Sequence, residues 1–349
     1  MRKTVVEINP YFVEQDFLGV KLNQNESPYD LPASLKSRIL AEVAQANWNR
    51  YPLMPPNRLL DALARETGFS KENIVVGNSA NEIIQAIALA ICAPGEEMVV
   101  VSPGFSVYPR VGRLLGLKVV EAPLDRDYAF DETAILVAAR TAPLVIFSSP
   151  NNPTGTVLDP ERIHAITRRV KGFVVVDEAY QDFFGKSSGR WLGKDKNLII
   201  IRTLSKAFGA AGARLGYMFA RPEIAAVIEK VKLPFSLGVF QQIAGPWILR
   251  ARRFRTRIIE RITAQREFVF GELKKIPGIH PIPSQANFIL FEIRERTARN
   301  VFESLRERGV LVRSFDHPRL KQALRVTIGT PRENVIFLKE LDHVMGIEL

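Results

Sequence analysis

Residues 197–216 read NLIIIRTLSKAFGAAGARLG. The apolar, β-branched run at residues 198–201 is typical of a buried strand, and Gly209 and Gly212 favour a loop after it. Lys206 therefore lies where a buried strand ends. A lysine at such a place can be an amine held for covalent chemistry, but this stretch alone fits a solvated surface lysine better.

The chain around this stretch alternates apolar strands with helical segments from residue 98 onward. The strand segments are MVVVSP, LKVVEAP, PLVIFSSP, GFVVVDEAY and NLIIIRTLSK. Such alternation predicts an α/β fold, with a mostly parallel central sheet flanked by helices. Ligands of these sheets bind beyond the carboxyl ends of the strands. Asn152, Asp177 and Lys206 follow three successive strands, so we expect them to share one crevice.

The length of 349 residues exceeds one typical domain. We expect an N-terminal arm over residues 1–30, a large domain over 31–249 and a smaller α/β C-terminal domain over 250–349, which the arm completes. One long helical stretch is predicted over about 239–274. After it, the pattern predicts three strands and two helices.

The composition is that of an ordinary globular protein, with 46% hydrophobic and 24% charged residues. The N-terminus lacks a signal-peptide pattern and no apolar run is long enough for a membrane span, so we expect a cytoplasmic protein. Cys92 is the only cysteine, and the four histidines lack metal-ligand spacing. We therefore expect no internal disulfide and no metal site.

The net charge of +11 leaves a nucleic-acid-binding protein as a non-enzyme alternative. Six arginines are concentrated in the segment 250–261, which is predicted to be helical. No aromatic platform or DNA-reading motif accompanies them, so a solvated helix face is the preferred interpretation.

A lysine and an aspartate in one crevice suit pyridoxal 5'-phosphate. This cofactor needs an amine for its aldehyde, a carboxylate beside its pyridine nitrogen and hydrogen-bond donors around its phosphate. Lys206 is the candidate amine, and Asp177 could keep the ring nitrogen protonated. Tyr180 and Asn152 could donate to the phenolic oxygen of the ring. Taken singly, each residue has a structural explanation, such as a cap, a core residue or a turn.

The segment VVGNSANEIIQAIALAI predicts a short strand, a turn and a helix that begins near Ala80. Backbone amides at a helix N-terminus bind anions, and Ser79 and Asn81 can add side-chain donors. Ser205 and Arg214 could complete a phosphate site there. An ordinary N-cap has the same sequence pattern.

Four segments, in this order and at these separations, resemble the fold-type I pyridoxal-phosphate aminotransferases of the class I/II branch: SPNNPTG, VVVDEAYQDF, RTLSKAFGAAGARLGY and LRVTIGT. Shorter segments resemble the histidinol-phosphate aminotransferases within that family: NPY, LNQNESPY, RYP, VKLPF and VRSF. The resemblance covers nearly the whole chain. It implies transamination of L-histidinol phosphate with 2-oxoglutarate, which gives imidazole acetol phosphate and L-glutamate in histidine biosynthesis.

The resemblance also implies roles at the substrate end of the site. Arg325 would pair bidentately with the α-carboxylate of the substrate, as the guanidinium fork allows. Asn25 would line the same end, and Asn152 would contact both substrate and cofactor. Tyr11 and Arg313 would contact the phosphate of the substrate.

The resemblance further implies a homodimer, in which Tyr51 reaches the cofactor phosphate of the neighbouring subunit. Two departures from the family pattern stand out. Ser79, Ala80 and Asn81 replace the glycine, serine and aspartate of the usual GNGSDE turn, and Phe105 stands where a tyrosine often stacks on the cofactor ring. The segment PGF is also similar to the threonine-phosphate decarboxylases, so this activity remains an alternative. An aromatic or broad-range aminotransferase is the other enzyme alternative.

Overall fold

The computed structural model describes residues 3–6, 8–10, 14–15 and 17–346. Within these residues, no helix is long and apolar enough to cross a membrane. The α-helices are α1 (Lys3–Val6), α2 (Ala33–Gln45), α3 (Asn57–Thr67), α4 (Ser79–Ile91), α5 (Val107–Leu115), α6 (Glu132–Ala138), α7 (Pro160–Thr167), α8 (Gln181–Phe184), α9 (Pro222–Val231), α10 (Val239–Arg250), α11 (Arg252–Leu273), α12 (Ala298–Glu307) and α13 (Pro331–Met345). The strands are β1 (Val20–Lys21), β2 (Ile74–Asn78), β3 (Glu97–Ser102), β4 (Lys118–Pro123), β5 (Leu144–Ser148), β6 (Phe173–Asp177), β7 (Leu198–Thr203), β8 (Leu215–Phe219), β9 (Ile279–Pro281), β10 (Phe288–Ile293), β11 (Val310–Leu311) and β12 (Ala323–Thr327).

A seven-stranded sheet forms the centre of the fold, with the order β2-β8-β7-β6-β5-β3-β4. The strands β4, β3, β5, β6 and β7 pair in parallel. Strand β8 is antiparallel to both β7 and β2. The sequence-based prediction of a mostly parallel α/β sheet is therefore confirmed.

Both faces of this sheet are apolar because its inner strands are covered by helices on each side. Successive residues of a strand point to opposite faces, so Ile200 of β7 packs in one apolar layer and Ile199 in the other. Helices α4, α5 and α9 supply buried side chains to the layer of Ile199, and α2, α3, α7 and α10 supply them to the layer of Ile200. The buried strands thus form a rigid base whose carboxyl ends carry the polar residues.

A second apolar cluster lies around the three-stranded antiparallel sheet β12-β10-β9. Helices α11, α12 and α13 pack on it, and β1 of the N-terminal segment pairs in parallel with β11. Here the prediction of three strands is wrong, because IHPIPSQANFILFEI forms two strands, β9 and β10. The backbone turns between them, so Phe291 of β10 pairs with Pro281 of β9.

The predicted single helical stretch over about 239–274 is also wrong, because it consists of the two helices α10 and α11. Ala251 between them leaves the helical region with φ −75° and ψ 43°. Ile248 of α10 packs in the core of the large sheet, whereas Ile258 of α11 packs in the second cluster. The two helices serve different cores, and helical periodicity does not reveal such a change.

The arginines of segment 250–261 are divided between these two helices. Several of them contact the chain itself: Arg255 forms an ion pair with Glu66, and Arg261 lies 5.5 Å from the ring centre of Tyr29. These contacts favour a structural use of the basic residues. They give the nucleic-acid alternative no support.

Candidate active site

The carboxyl ends of β5, β6 and β7 are adjacent in the central sheet. Asp177 is the last residue of β6, and its neighbours across the sheet are Ser148 of β5 and Ile201 of β7. Asn152 follows β5 after a short turn, and Lys206 follows β7. The structure therefore places these three candidate residues at one edge of the sheet, as the sequence predicts.

Asp177 is a deeply buried carboxylate, only 3% exposed. Its Oδ2 accepts a hydrogen bond from the Tyr108 hydroxyl at 2.8 Å, and its Oδ1 accepts one from the Ala179 N–H at 3.0 Å. Burial raises the pKa of Asp177 to about 6, while these two hydrogen bonds oppose the rise. Among the described residues, Asp177 has no salt bridge. A cationic group placed beside it would offset the cost of burying its charge.

Lys206 is a half-buried amine with a strongly lowered pKa. Its Nζ donates to the Gln24 carbonyl oxygen at 3.0 Å and lies 5.8 Å from the ring centre of Tyr180. Burial, followed by the positive charge of Arg325, lowers the pKa of Lys206 to about 7. A substantial fraction of the amine is therefore unprotonated near neutral pH, which makes it a nucleophile and a base.

The segment LNQNES joins the N-terminal part of the chain to this site. Asn25 has a left-handed backbone, with φ 54°, and its Nδ2 donates to the Tyr180 hydroxyl at 2.9 Å. The backbone N–H of Asn25 donates to Thr327 Oγ1 at 2.9 Å, which ties the segment to β12. Tyr180 is thus held between the large sheet and the small one.

Arg325 of β12 is a buried cation whose charge acts on Lys206. Its guanidinium lies 5.1 Å from the ring centre of Phe288 and 5.7 Å from that of Phe315. It donates through Nη1 to Asn152 Oδ1 and through Nη2 to the Asn23 carbonyl oxygen at 2.8 Å. The residue is 6% exposed. These contacts fix its planar fork, the geometry that binds a carboxylate.

Arg313 is a neighbour of Arg325 across a β-bridge. The backbone N–H of each residue donates to the carbonyl oxygen of the other at 2.9 Å. Their side chains therefore point to the same face of the two paired segments. Within the described part of the chain, the half-buried Arg313 side chain makes neither a hydrogen bond nor an ion pair. It therefore adds a second positive charge beside Arg325.

The start of helix α4 lies against the loop that contains Arg214. The Ser79 N–H donates to the Arg214 carbonyl oxygen at 3.0 Å, and both residues have positive φ, 75° and 52°. A Cβ on Gly216 would lie 2.2 Å from the Ala80 nitrogen, so glycine allows β8 to approach the first turn of α4. The start of α4 thus meets the end of the loop 204–214, which contains both Lys206 and Arg214 and is called the Lys206 loop below. The backbone amides at this meeting point are suited to an anion.

The other residues predicted to contact the cofactor phosphate differ in how exposed their side chains are. Ser205 is buried, and its hydroxyl accepts a hydrogen bond from Thr203 Oγ1 at 3.0 Å. Asn81 is exposed, and the exposed Arg214 side chain donates to its own loop at the Ala211 carbonyl oxygen. Tyr51 is 81% exposed and stacks on Phe235, with 4.7 Å between the ring centres.

The remaining two candidates are Phe105 and Tyr11. Phe105 is half-buried and lies edge-on to Tyr108. Tyr11 falls outside the described residues.

Three contacts at the site were not foreseen from the sequence: the hydroxyl of Tyr108 and the carbonyl oxygens of Asn23 and Gln24. Backbone carbonyls leave no trace in a residue pattern. Tyr108 stands three residues after Phe105, and its N–H donates to the Phe105 carbonyl oxygen in the turn that leads into α5. That spacing was the available signal, but it does not show that the hydroxyl would reach Asp177.

These groups fit pyridoxal phosphate chemically. An amine with a pKa of about 7, a buried carboxylate that forms no salt bridge with a described residue, and a helix start suited to an anion match its aldehyde, its ring nitrogen and its phosphate. Lys206 would hold the aldehyde carbon, Asp177 the ring nitrogen, and the amides near Ala80 the phosphate.

Comparison with known proteins agrees with this fit. The aminotransferase class I and II family matches residues 19–341. The histidinol-phosphate aminotransferase of Prosthecochloris aestuarii is 38% identical over 99% of this chain and 98% of its own length. That of Chlorobaculum tepidum is 38% identical over 90% of this chain and 91% of its own length.

A solved structure shares the whole fold. The histidinol-phosphate aminotransferase of Sinorhizobium meliloti, solved in complex with pyridoxal 5'-phosphate, superimposes with a TM-score of 0.90 at 23% identity, covering 99% of this chain and 97% of the other. This likeness shows the fold, and the family follows from the sequence matches. The chain belongs to the class I and II aminotransferases and, among them, to the histidinol-phosphate aminotransferase family.

Proposed function

We propose that this chain is a pyridoxal-phosphate-dependent aminotransferase that exchanges the amino group of L-histidinol phosphate with 2-oxoglutarate in histidine biosynthesis. The observation that carries the proposal is the convergence of Lys206 and Asp177 at one edge of the large sheet with Arg325, which reaches Asn152 there from the small sheet. Relatives named histidinol-phosphate aminotransferase, which match nearly the full length, support the choice of substrate.

When bound, pyridoxal phosphate supplies an aldehyde for the substrate amine and a ring that accepts electrons. Lys206 then acts as the base, because a substantial fraction of its Nζ is unprotonated near neutral pH and can take the proton from the substrate Cα. Asp177 would keep a proton on the ring nitrogen. Tyr180, oriented by Asn25, would donate to the phenolic oxygen, and Asn152 would contact the same oxygen.

The two substrates differ in the anion that they present. L-Glutamate has an α-carboxylate, whereas L-histidinol phosphate has a phosphate and no carboxylate. Arg325 suits the carboxylate, and Arg313 beside it suits the phosphate, to which Tyr11 would add a contact. A pair of neighbouring arginines therefore allows one site to serve both half-reactions.

The assembly that we propose is a cytoplasmic homodimer in which Tyr51 crosses to the cofactor phosphate of its partner. The support is an exposed apolar surface formed by segments 48–54 and 233–235, which meet where Tyr51 stacks on Phe235. Contiguous exposed apolar surface is typical of a subunit interface. Its large side chains are Trp48, Tyr51, Leu53, Met54, Leu233 and Phe235.

The domain division remains part of the proposal: an arm over 1–30, a cofactor-binding domain over 31–249 and a small domain over 250–349. It is supported by the helix break at Ala251, across which the packing changes from the large sheet to the small one.

The substrate assignment is tested with purified enzyme and three amino compounds. Glutamate formation from 2-oxoglutarate should be far faster with L-histidinol phosphate than with L-phenylalanine. Equal turnover of phenylalanine would favour an aromatic or broad-range aminotransferase. Carbon dioxide release from phosphothreonine without any oxo acid would favour a threonine-phosphate decarboxylase.

A further inference from the structure

Tyr108, the second residue of α5, touches two residues of the cofactor site at once. Its hydroxyl donates to Asp177 Oδ2 at 2.8 Å. Its ring meets Phe105 edge-on, with 5.4 Å between the centres and 86° between the planes. The side chain is 1% exposed, so packing on all sides fixes both contacts.

The contact with Asp177 determines how that carboxylate is presented. Each carboxylate oxygen accepts a hydrogen bond, Oδ2 from Tyr108 and Oδ1 from the Ala179 N–H. Two donors in different directions prevent rotation of the carboxyl group about its Cβ–Cγ bond. Burial and the neighbouring negative charge raise the pKa of Tyr108 well above its usual range, so the hydroxyl remains a donor throughout the working pH range.

We propose that Tyr108 is a positioning residue, whose hydroxyl orients Asp177 and keeps it ionised for the ring nitrogen of pyridoxal phosphate. The inference rests on the proposed use of this cofactor. Tyr108 does not need to touch the cofactor, since it acts through Asp177. Its edge contact with Phe105 also holds the aromatic ring that replaces the usual stacking tyrosine.

The charge on Asp177 depends on the groups that face it. Burial and the negative charge of Glu178 favour its protonated form, whereas Tyr108, the Ala179 N–H and the positive charge of Lys206 favour its ionised form. Removal of the Tyr108 hydroxyl takes away the strongest group on the ionised side. Asp177 then keeps its proton to a higher pH. A neutral carboxyl group has no negative charge to stabilise the protonated ring nitrogen.

The test compares Tyr108→Phe with Tyr128→Phe as a matched control. Tyr128 is also a buried tyrosine that donates to a carboxylate at 2.8 Å, but its partner is Glu292. The dissociation constant of pyridoxal phosphate is measured for both variants and the wild type between pH 6.5 and 9. We expect Tyr108→Phe to weaken binding about tenfold at pH 7, because a hydrogen bond to a charged group is lost. The deficit should shrink as pH rises and Asp177 ionises, and Tyr128→Phe should bind like the wild type.

A second measurement uses the 1-deaza analogue of the cofactor, in which C–H replaces the ring nitrogen. If Tyr108 acts through Asp177 on that nitrogen, Tyr108→Phe and the wild type should bind the analogue equally. Equal weakening for both cofactors, or a deficit that is independent of pH, would overturn the inference and leave Tyr108 as a packing residue. Binding of pyridoxal phosphate by the wild type reports separately on the proposed function.

Discussion

The two titrating residues at the centre of the site have pKa values shifted in opposite directions. Burial raises the pKa of Asp177 to about 6 and lowers that of Lys206 to about 7. In each case the neutral form is favoured, as expected for groups removed from water. The two groups therefore change charge close to neutral pH, where proton transfer to and from a substrate is most efficient.

The shift of Asp177 predicts a stability cost in the cofactor-free protein. Its folded pKa of about 6 is above the ordinary value of 3.8, so the folded state binds the proton more tightly than the unfolded state. Stability from this group is therefore lost as pH rises from about 4 to about 6. Above pH 6, Asp177→Asn should be more stable than the wild type by roughly 1–3 kcal/mol.

This prediction is checked by urea unfolding of the two cofactor-free proteins at pH 4 and pH 7.5. The difference should be close to zero at the lower pH. A variant that is less stable than the wild type at pH 7.5 would show that the buried carboxylate stabilises the fold.

Arg313 offers a test of substrate choice at the scale of one side chain. Arg313→Ala should lower kcat/KM for L-histidinol phosphate by roughly 10- to 100-fold, because a charged hydrogen bond to phosphate is lost. The reaction of L-glutamate should change much less, since the proposed partner of its carboxylate is Arg325. Steady-state kinetics give the ratio of kcat/KM for the two donors. Arg299→Ala is the control, because the Arg299 side chain is exposed. An equal loss for both donors would assign Arg313 a general role.

At the scale of elements, the site depends on where α4 and the Lys206 loop meet. Gly216 of β8 lies so close to the Ala80 nitrogen that a side chain cannot fit without moving the helix start. The proposed phosphate site is therefore set by the packing of two elements, and a single donor side chain matters less. This explains how the replacement of GNGSDE by GNSANE can leave the backbone amides in place.

Gly216→Ala should displace the start of α4 and weaken pyridoxal phosphate binding by tenfold or more, since overpacking costs about 1–3 kcal/mol. Gly271→Ala in α11 is the matched control, because a Cβ there meets no atom within 4 Å. The control should bind the cofactor normally and gain about 0.5–1 kcal/mol of stability. Fluorescence titration with the cofactor distinguishes the two. Normal binding by Gly216→Ala would contradict the proposed phosphate site.

Some helices and strands could be predicted from the sequence, and others could not. The strands β5, β6 and β7 were predictable because each is a short apolar run followed by a polar residue. The break at Ala251 was not, since residues on both sides favour a helix and only the two separate cores divide them. The hydrogen bond from Tyr108 to Asp177 was not predictable either, because its two residues are 69 positions apart and it depends on how α5 packs.

On the scale of the whole molecule, the site is assembled from distant parts of the chain. Arg325 of the small sheet reaches Asn152 beside the large sheet, and Lys206 reaches the Gln24 carbonyl of the N-terminal segment. Relative movement of these parts would change the distance between the two cationic groups. The proposed partner subunit adds Tyr51 to the same site.

The dimer predicts complementation between two inactive variants. Tyr51→Ala should lack its contribution to the partner site, and Lys206→Ala should lack its own base. When equal amounts are unfolded and refolded together, half of the dimers are mixed and carry one intact site, so activity should reach about a quarter of that of the wild type. Transamination assays before and after mixing measure it. Activity that stays at the level of the separate variants would contradict a shared site.

A single half-reaction shows whether Lys206 carries out amino-group transfer from L-histidinol phosphate. The protein saturated with pyridoxal phosphate is mixed with L-histidinol phosphate in the absence of an oxo acid, and the visible absorbance of the bound cofactor is followed. The wild type should lose this absorbance in proportion to the sites present and regain it when 2-oxoglutarate is added. Lys206→Ala should show neither change. A wild type that keeps its absorbance, or a Lys206→Ala variant that reacts as fast as the wild type, would contradict the account.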